Sequence, residues 1–496
     1  MGAKVEITLK SKRVTVIGMG RSAMGAVRLL LREGARPFVS DHQDTPALLD
    51  YRGDLEHLGV PYEVGGHTAR ALDEADVLVL SPGVPADAPP FAAVRARGVP
   101  VLGELELAAR FCHARILAVT GTNGKTTTTE LLYALLRACG HTVALAGNNA
   151  TPLSAAVLES PAPEFMVLEV SSYQLETSDT FRPWIGAVLN VTSDHLARHG
   201  TMTQYAAIKN KLFARQGAGD AAVLNADDPL TAAMRVPSGV RRRLFSIERT
   251  VEEGLWTDGA VICDGTTVVA RREDTPLRGC HNLSNVLAAL AMARAGGFEW
   301  ERCLEGLRGF RGVEHRIEYV AEADGVAFYN DSKSTNVDSL RVALESFTQP
   351  LVLIAGGRGK AGSDYASLLP LLRAHVRYVV ALGEEAPLLL AAWNNDVPME
   401  TASAMPNAVE LAMRAAEPGD VVLLSPGCAS FDLYNNFEER GTHFKECVSA
   451  VEIGSHKKEQ EAKPPAPLQG ARGGDVHDPG VPLRSTPGYF RTPLRG

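Results

Sequence analysis

Short apolar runs alternate along this chain with longer stretches whose apolar residues recur at helical spacing. Residues 14–17 read as a buried strand, 23–32 as a helix, 37–40 as a second strand and 76–80 as a third, which ends in Ser81-Pro82-Gly83. Strand, helix and strand in repetition predict a parallel sheet with helical crossovers. A second block begins near Gly103. There a strand at 115–120 runs into a long helix through Ala138, further strands are expected at 165–170, 187–191 and 221–225, and a helix at 282–294. A third block opens near Gly312, with strands at 326–329, 351–355, 378–382 and 421–424. The pattern predicts three α/β domains in series, over 1–103, 104–312 and 313–453. From 454 to 496 the periodicity stops and Pro and Gly make up roughly a third of the residues, so this tail is expected to be disordered for want of apolar surface to offset its ordering entropy.

Composition narrows the function without naming it. The chain has 496 residues, 45% hydrophobic and 22% charged, which is ordinary for a globular protein. Lys and Arg number 50 against 58 Asp and Glu, a net charge of -8. A nucleic-acid binder needs a basic footprint, so no nucleic-acid partner is expected. No apolar run approaches the ~20 residues of a membrane span, and the start of the chain lacks the apolar core of a secretory signal. The seven cysteines are scattered and form no C-x-x-C pair. That excludes a disulfide scaffold or zinc ribbon and fits a cytoplasmic protein.

The strongest motif is the segment RILAVTGTNGKTT, residues 115–127. A strand meets a Gly-rich turn and a helix begins, so unpaired N–H groups and the helix dipole face an anion. Gly121 and Gly124 let the backbone approach phosphate, Lys125 reaches toward the β- and γ-phosphates, and the Thr126 hydroxyl suits Mg²⁺. The loop departs from G-x-x-x-x-G-K-[ST], because Val119 stands where the first Gly belongs. ATP or GTP binding is the expectation. Glu169 and His195, each at or just beyond the carboxyl end of a predicted strand, are the acidic and imidazole candidates beside the metal. At the N-terminus, Gly18-Met-Gly20-Arg-Ser-Ala23 with Asp41 about 20 residues on also fits a dinucleotide fingerprint.

The segments TGTNGKTT, LEVSSYQLE, LNVTSDHL, YAAIKNKLF, HNLSN, EHRIE, NDSKSTN and SPGCASFDLYNNFEERG occur in order through the second and third blocks. In this the chain resembles the Mur ligase family of ATP-dependent amide-bond ligases, over everything except the tail. The resemblance implies a Rossmann-like N-terminal domain, a central P-loop ATPase-type domain on a parallel or mixed sheet, and a Rossmann-like C-terminal domain. NDSKSTN is the segment that discriminates within the family, and it implies D-glutamate as the amino acid and UDP-N-acetylmuramoyl-L-alanine as the acceptor, for peptidoglycan synthesis. The implied reaction passes through an acyl phosphate and yields ADP and phosphate.

The resemblance also assigns residues. Lys125, His195 and Lys209 are expected to be catalytic, with Lys209 carbamylated into a carboxylate-like ligand. Thr126, Glu169, His195 and carbamylated Lys209 would serve two Mg²⁺ ions. ATP is expected on Gly121, Thr122, Asn123, Gly124, Lys125, Thr126 and Thr127, with Asn282, His315, Arg316 and Asp331 around its nucleoside and phosphates. The UDP-sugar is expected at Arg21, Ser22, Asp41, His42, Gly83 and Asn148, and the amino acid at Thr335, Lys360, Ser430, Phe431 and Phe437. Lys333 is a further candidate for that pocket. Relatives often carry Arg where Gln43 stands and G-N-I-G where this chain has Gly147-Asn148-Asn149-Ala150. The implied enzyme is a cytoplasmic monomer.

Other readings account for less. A nicotinamide-dependent oxidoreductase would use Gly18, Gly20 and Asp41 but leaves the 121–127 loop, Glu169 and His195 without a role. A folylpolyglutamate or cyanophycin type of ligase is disfavoured by NDSKSTN and the N-terminal fold. A non-catalytic nucleotide-binding regulator would need a broken metal or phosphate set, and none of the expected groups is missing.

Overall fold

The computed structural model describes residues 8–461, apart from 149–150, 193–195, 278, 360–362 and 394. Three sheets follow one another along the chain. The first holds β1 (Arg13–Ile17), β2 (Arg36–Ser40), β3 (Tyr62–Glu63), β4 (Val77–Leu80) and β5 (Val101–Gly103), all parallel, in the order β3-β2-β1-β4-β5. Ligand crevices in such sheets lie at the carboxyl ends of the strands, where the order reverses beside the first strand. The helix Arg21–Arg32 begins at that point and buries Ala23, Met24, Val27, Leu29 and Leu30 against the sheet.

The second sheet has nine strands: β6 (Arg115–Thr120), β7 (Val143–Gly147), β8 (Phe165–Glu169), β9 (Ile185–Val188), β10 (Ala221–Asn225), β11 (Arg241–Ser246), β12 (Gly254–Thr257), β13 (Val261–Asp264) and β14 (Thr267–Arg271). Their order is β14-β13-β12-β11-β10-β9-β6-β8-β7, parallel from β7 to β12 and antiparallel at the β12-β13-β14 edge. Two helices, Lys125–Ala138 and Cys280–Gly296, pack together over this sheet. The second is buried on almost every side, which accounts for its apolar composition.

The third sheet runs β15 (Glu318–Ala323), β16 (Val326–Asn330), β17 (Leu351–Gly356), β18 (Val376–Leu382), β19 (Met399–Ala402) and β20 (Val421–Leu424) in the order β15-β16-β20-β17-β18-β19. Only the β15–β16 pair is antiparallel.

Two features differ from the sequence expectation. The strand expected at 187–191 lies at Ile185–Val188, because after Val188 the chain leaves the ladder: Leu189 N–H still bonds Thr120 O at 2.9 Å, but Asn190 turns to the phosphate loop. Leu189 and Val191 stay buried, so the apolar run overstates the strand. The last helix, Phe437–Glu461, also continues past 453, through a Lys- and Glu-rich stretch of high helix propensity; residues 462–496 lie outside the described residues. The β13–β14 hairpin turns at Asp264-Gly265, a hairpin signal, where Gly265 takes a φ of +58°.

Two buried acids at the start of the second domain anchor it to that domain's own loops. Glu106 accepts the backbone N–H groups of Asp179, Thr180 and Phe181 at 2.9–3.1 Å. Glu104, fully buried with its carboxyl pKa raised by burial, accepts Ser154 N–H at 2.7 Å. No helix among the described residues is long and apolar enough to cross a membrane.

Candidate active site

The phosphate loop links β6 to the helix Lys125–Ala138. Gly124 stands at the helix N-cap with a φ of +84° and supplies no side-chain cap, so the first-turn N–H groups stay open to an anion. A Cβ at Gly124 would lie 2.1 Å from Asn285 Oδ1, so only glycine fits beneath the helix Cys280–Gly296. Asn190 fixes the loop from the side: its Oδ1 accepts N–H from Thr122 at 3.0 Å and from Asn123 at 2.8 Å. Its Nδ2 returns a bond to Asn123 O at 3.2 Å. Lys125 Nζ curls back onto the carbonyls of Gly121 (3.1 Å) and Thr122 (2.8 Å), over the mouth of the loop.

At the head of that helix, Thr126 Oγ1 donates to Glu169 Oε2 at 2.8 Å. Asn148 Nδ2 donates to the other carboxylate oxygen at 3.0 Å. Asn148 therefore sits with the candidate metal ligands, at the ends of β7 and β8. A hydroxyl and a carboxylate are the hard oxygen donors that Mg²⁺ takes, so this pair fits the ion. Glu130, half-buried on the same helix, has its pKa raised by burial, while Lys333 of the third domain lowers it. Burial depresses the Lys333 amine, and Glu169, Glu438 and Glu130 oppose that shift. His195 lies outside the described residues.

Lys209 is 1% exposed on the helix Met202–Asn210, which Thr201 and Gln204 start with a reciprocal capping box. Its Nζ stands 4.3 Å from the centre of the Tyr205 ring, which stacks on His199 at 5.0 Å. His199 Nε2 in turn lies 3.0 Å from Ser172 Oγ, just beyond β8. Lys211 has other work, donating to Glu176 O at 2.7 Å.

A cavity of about 480 Å³ separates the second and third domains. Asn123, Gly124, Asn190, His281 and Asn285 line one wall, and Arg316, Asp331 and Lys333 the other. Asp331 is fully buried; burial pushes its carboxyl up to about 7, against bonds from Ser425 Oγ (2.8 Å) and Ile317 N–H (3.2 Å). Burial, and then Arg316, hold the His281 imidazole down at about 4. Of the four nucleotide contacts expected outside the phosphate loop, two do not line this cavity. Asn282 is buried beneath it, with its Oδ1 accepting Asn285 Nδ2 at 3.3 Å. His315, at a φ of +62°, turns into the third domain, where Nδ1 lies 2.9 Å from Asn330 Nδ2 and the ring meets Phe437 edge-on at 6.2 Å.

In the first domain, Asp41 is committed to its own turn, accepting N–H from Met19 at 2.7 Å and Gln43 at 2.8 Å. Arg21, His42 and Gly83 are exposed and Ser22 half-buried around the carboxyl ends of β1, β2 and β4. Of the amino-acid candidates, Thr335 and Phe437 are half-buried, Ser430 is buried and Phe431 is 62% exposed. Ser430 opens no helix: its carbonyl accepts Leu433 and Tyr434 N–H in a turn. Lys333 Nζ lies 5.6 Å from the Phe437 ring centre. Lys360 lies outside the described residues.

Sequence reasoning missed Asn190, Asn285 and His281. Asn190 carried a signal, as a polar residue at the end of an apolar run, but its target lies in a loop that only the β6–β9 pairing brings beside it.

Three family models match the chain: a Mur ligase MurD-like N-terminal domain over 12–103, a Mur ligase middle domain over 119–293 and a Mur ligase glutamate ligase domain over 315–428. The UDP-N-acetylmuramoylalanine–D-glutamate ligase of Pelotomaculum thermopropionicum is 46% identical over 454 residues, which cover 89% of this chain and 98% of that one. The ligase of the same name from Salinibacter ruber is 44% identical over 461 residues, covering 89% and 99%. Among solved structures, the UDP-N-acetylmuramate-alanine ligase of Thermotoga maritima superposes with a TM-score of 0.56 at 19% identity, over 89% of this chain and 100% of that one, a likeness of fold.

Proposed function

This chain belongs to the Mur ligase family, and from that premise we propose that it joins D-glutamate to UDP-N-acetylmuramoyl-L-alanine, driven by ATP, in peptidoglycan synthesis. It is a ligase that forms a carbon–nitrogen bond. The relatives that carry this activity in their names are 39–46% identical and align over 97–99% of their own lengths. The observation that carries the chemical reading is the cleft itself, with the phosphate loop on one wall and Arg316, Asp331 and Lys333 on the other.

A carboxylate is a poor electrophile, and the enzyme must bring it to a triphosphate of the same charge sign. In our reading, an oxygen of the acceptor's alanine carboxylate attacks the γ-phosphorus of ATP and ADP departs. The amine of D-glutamate then attacks the acyl carbon, phosphate leaves, and the nitrogen gives up its proton. The open N–H groups of the phosphate loop hold the β- and γ-phosphates, and Lys125 swings from its carbonyl partners onto them. Arg316 and Lys333 face the charge that develops in transfer. Thr126 and Glu169, with His195 and a carbamylated Lys209, would hold Mg²⁺, which supplies positive charge to the phosphate oxygens. Thr335, Lys360, Ser430, Phe431 and Phe437 form the amino-acid pocket, and Arg21, Ser22, Asp41, His42 and Gly83 the uridine end. The domain limits 1–103, 104–312 and 313–453 belong to the same reading. We assign the enzyme to the cytoplasm, where its nucleotide substrates are made, and to a monomer, because one chain carries every group the reaction needs.

The test is a phosphate-release assay with UDP-N-acetylmuramoyl-L-alanine, ATP and Mg²⁺, run in parallel with D-glutamate, L-glutamate, L-alanine and diaminopimelate. Release with D-glutamate alone is the expected result. Release with none of the four, or with another amino acid in preference, would overturn the reading.

A further inference from the structure

The amino-acid candidates come from four separate stretches of the third domain. Thr335 follows β16, Lys360 follows β17, Ser430 and Phe431 follow β20, and Phe437 opens the last helix. Loops at the ends of different strands keep one pocket shape only if something ties them together. Arg440, on that helix, is 2% exposed and reaches the loops that follow β16, β17 and β20.

Its Nε donates to Ser332 Oγ at 3.0 Å and its Nη2 to Ser332 O at 2.8 Å. Its Nη1 donates to Cys428 O at 3.1 Å. Gly357 lies so close that a Cβ there would come within 3.0 Å of Nη1 and 2.3 Å of Ala429 O. Ser332 Oγ passes the connection on, donating to Phe437 O at 2.7 Å. Around the guanidinium the loops also bond one another: Gly427 N–H to Ser334 O and Gly356 N–H to Pro426 O, each at 2.9 Å, and Arg358 and Ala429 reciprocally.

Every acceptor of this buried cation is neutral. Among the described residues no carboxylate comes within ion-pair distance of it, although Asp432 and Asp331 attract it from further off. A buried charge without a counter-ion is costly, and a fold that keeps one retains it for more than packing. The fork geometry of a guanidinium, with five donors in one plane, suits a hub that must bond several carbonyls at once.

We propose that Arg440 is the positioning residue of the amino-acid pocket, holding the loops 331–335, 356–359 and 426–431 in one mutual geometry and so setting the affinity for the incoming amino acid. The proposal rests on the amino-acid pocket assigned under the proposed function. Its charge also adds positive potential behind a pocket meant for a dicarboxylate.

The test compares wild type with Arg440→Lys, which keeps the charge and loses the fork. KM for D-glutamate should rise about tenfold, while KM for ATP and for the UDP-sugar change less than about twofold, since misplacing a binding group by an ångström is enough for such losses. In Arg440→Ala, millimolar guanidinium should restore D-glutamate affinity in part. Should either variant fail to fold, Ser332→Ala removes the Nε acceptor together with the Oγ bond to Phe437 O, and should raise the same KM about threefold. An unchanged D-glutamate KM in a folded Arg440→Lys, or an equal rise for all three substrates, overturns the proposal. If wild type itself releases no phosphate in response to D-glutamate, the functional reading fails instead, and the two failures are distinct.

Discussion

Asp331 and Lys125 show how single residues are set by their surroundings. Burial raises the Asp331 carboxyl to about 7, well above the ordinary carboxylate range, so the folded state binds this proton more tightly than the unfolded chain does. Its contribution to stability is full below the unfolded value and is lost as pH rises through the folded one. Asp331→Asn removes that dependence, so its melting midpoint should gain on wild type between pH 5 and pH 8, about where the buried carboxyl ionises. A gap that stays constant across the series would contradict the shift. Lys125 donates to two loop carbonyls in this state, so Lys125→Ala should fold normally and lose turnover by about a thousandfold or more, as removal of a phosphate-clamping cation does. Product formation at the wild-type rate would refute the phosphate-loop assignment. Both residues were legible in the sequence as members of short motifs. Arg440 was not, because its partners, Ser332 and the Cys428 carbonyl, lie 108 and 12 residues away, and an isolated Arg in NNFEERG carries no spacing that points to them.

Among elements, the central sheet does the positioning. β6 ends in the phosphate loop, β8 in Glu169 and β7 in Gly147, and the parallel register aligns Gly147 with Glu169 and Val119 with Glu169. Gly147 has a φ of +113°, and a Cβ there would lie 2.1 Å from Glu169 O. Gly147→Ala should therefore push β7 from β8, displace both Asn148 and Glu169, and cost roughly 2–3 kcal/mol in urea unfolding together with most of the activity. Full activity with unaltered stability would show that the strand ends are not held this tightly. The strands that form the centre of each sheet were readable as continuous apolar runs, since parallel strands buried on both faces must be apolar throughout. The edge of the central sheet was harder to read. Strands β11 to β14 are short and partly exposed, and their sequences alternate too weakly to stand out from loop.

Across the whole molecule, the second and third domains meet at one cleft, and the last helix closes the third domain. Phe444 and Val448 are fully buried, and the helix packs on β15 and β16 through residues that precede 450. Removing the chain after Glu461 should leave kcat, all three KM values and the melting midpoint unchanged. A fall in any of these would assign a role to the Pro- and Gly-rich tail.

The order of strands and helices, the division into three α/β domains and the phosphate-binding motif were determined by local sequence, because each depends on residues within one or two turns of one another. Tertiary structure alone decided that Asn190 braces the phosphate loop, that His315 faces the third domain's interior and not the cleft, and that Arg440 joins loops from three strands. Those outcomes depend on which strands become neighbours and on how far a side chain reaches across the gap between them, and spacing along a chain does not encode either distance.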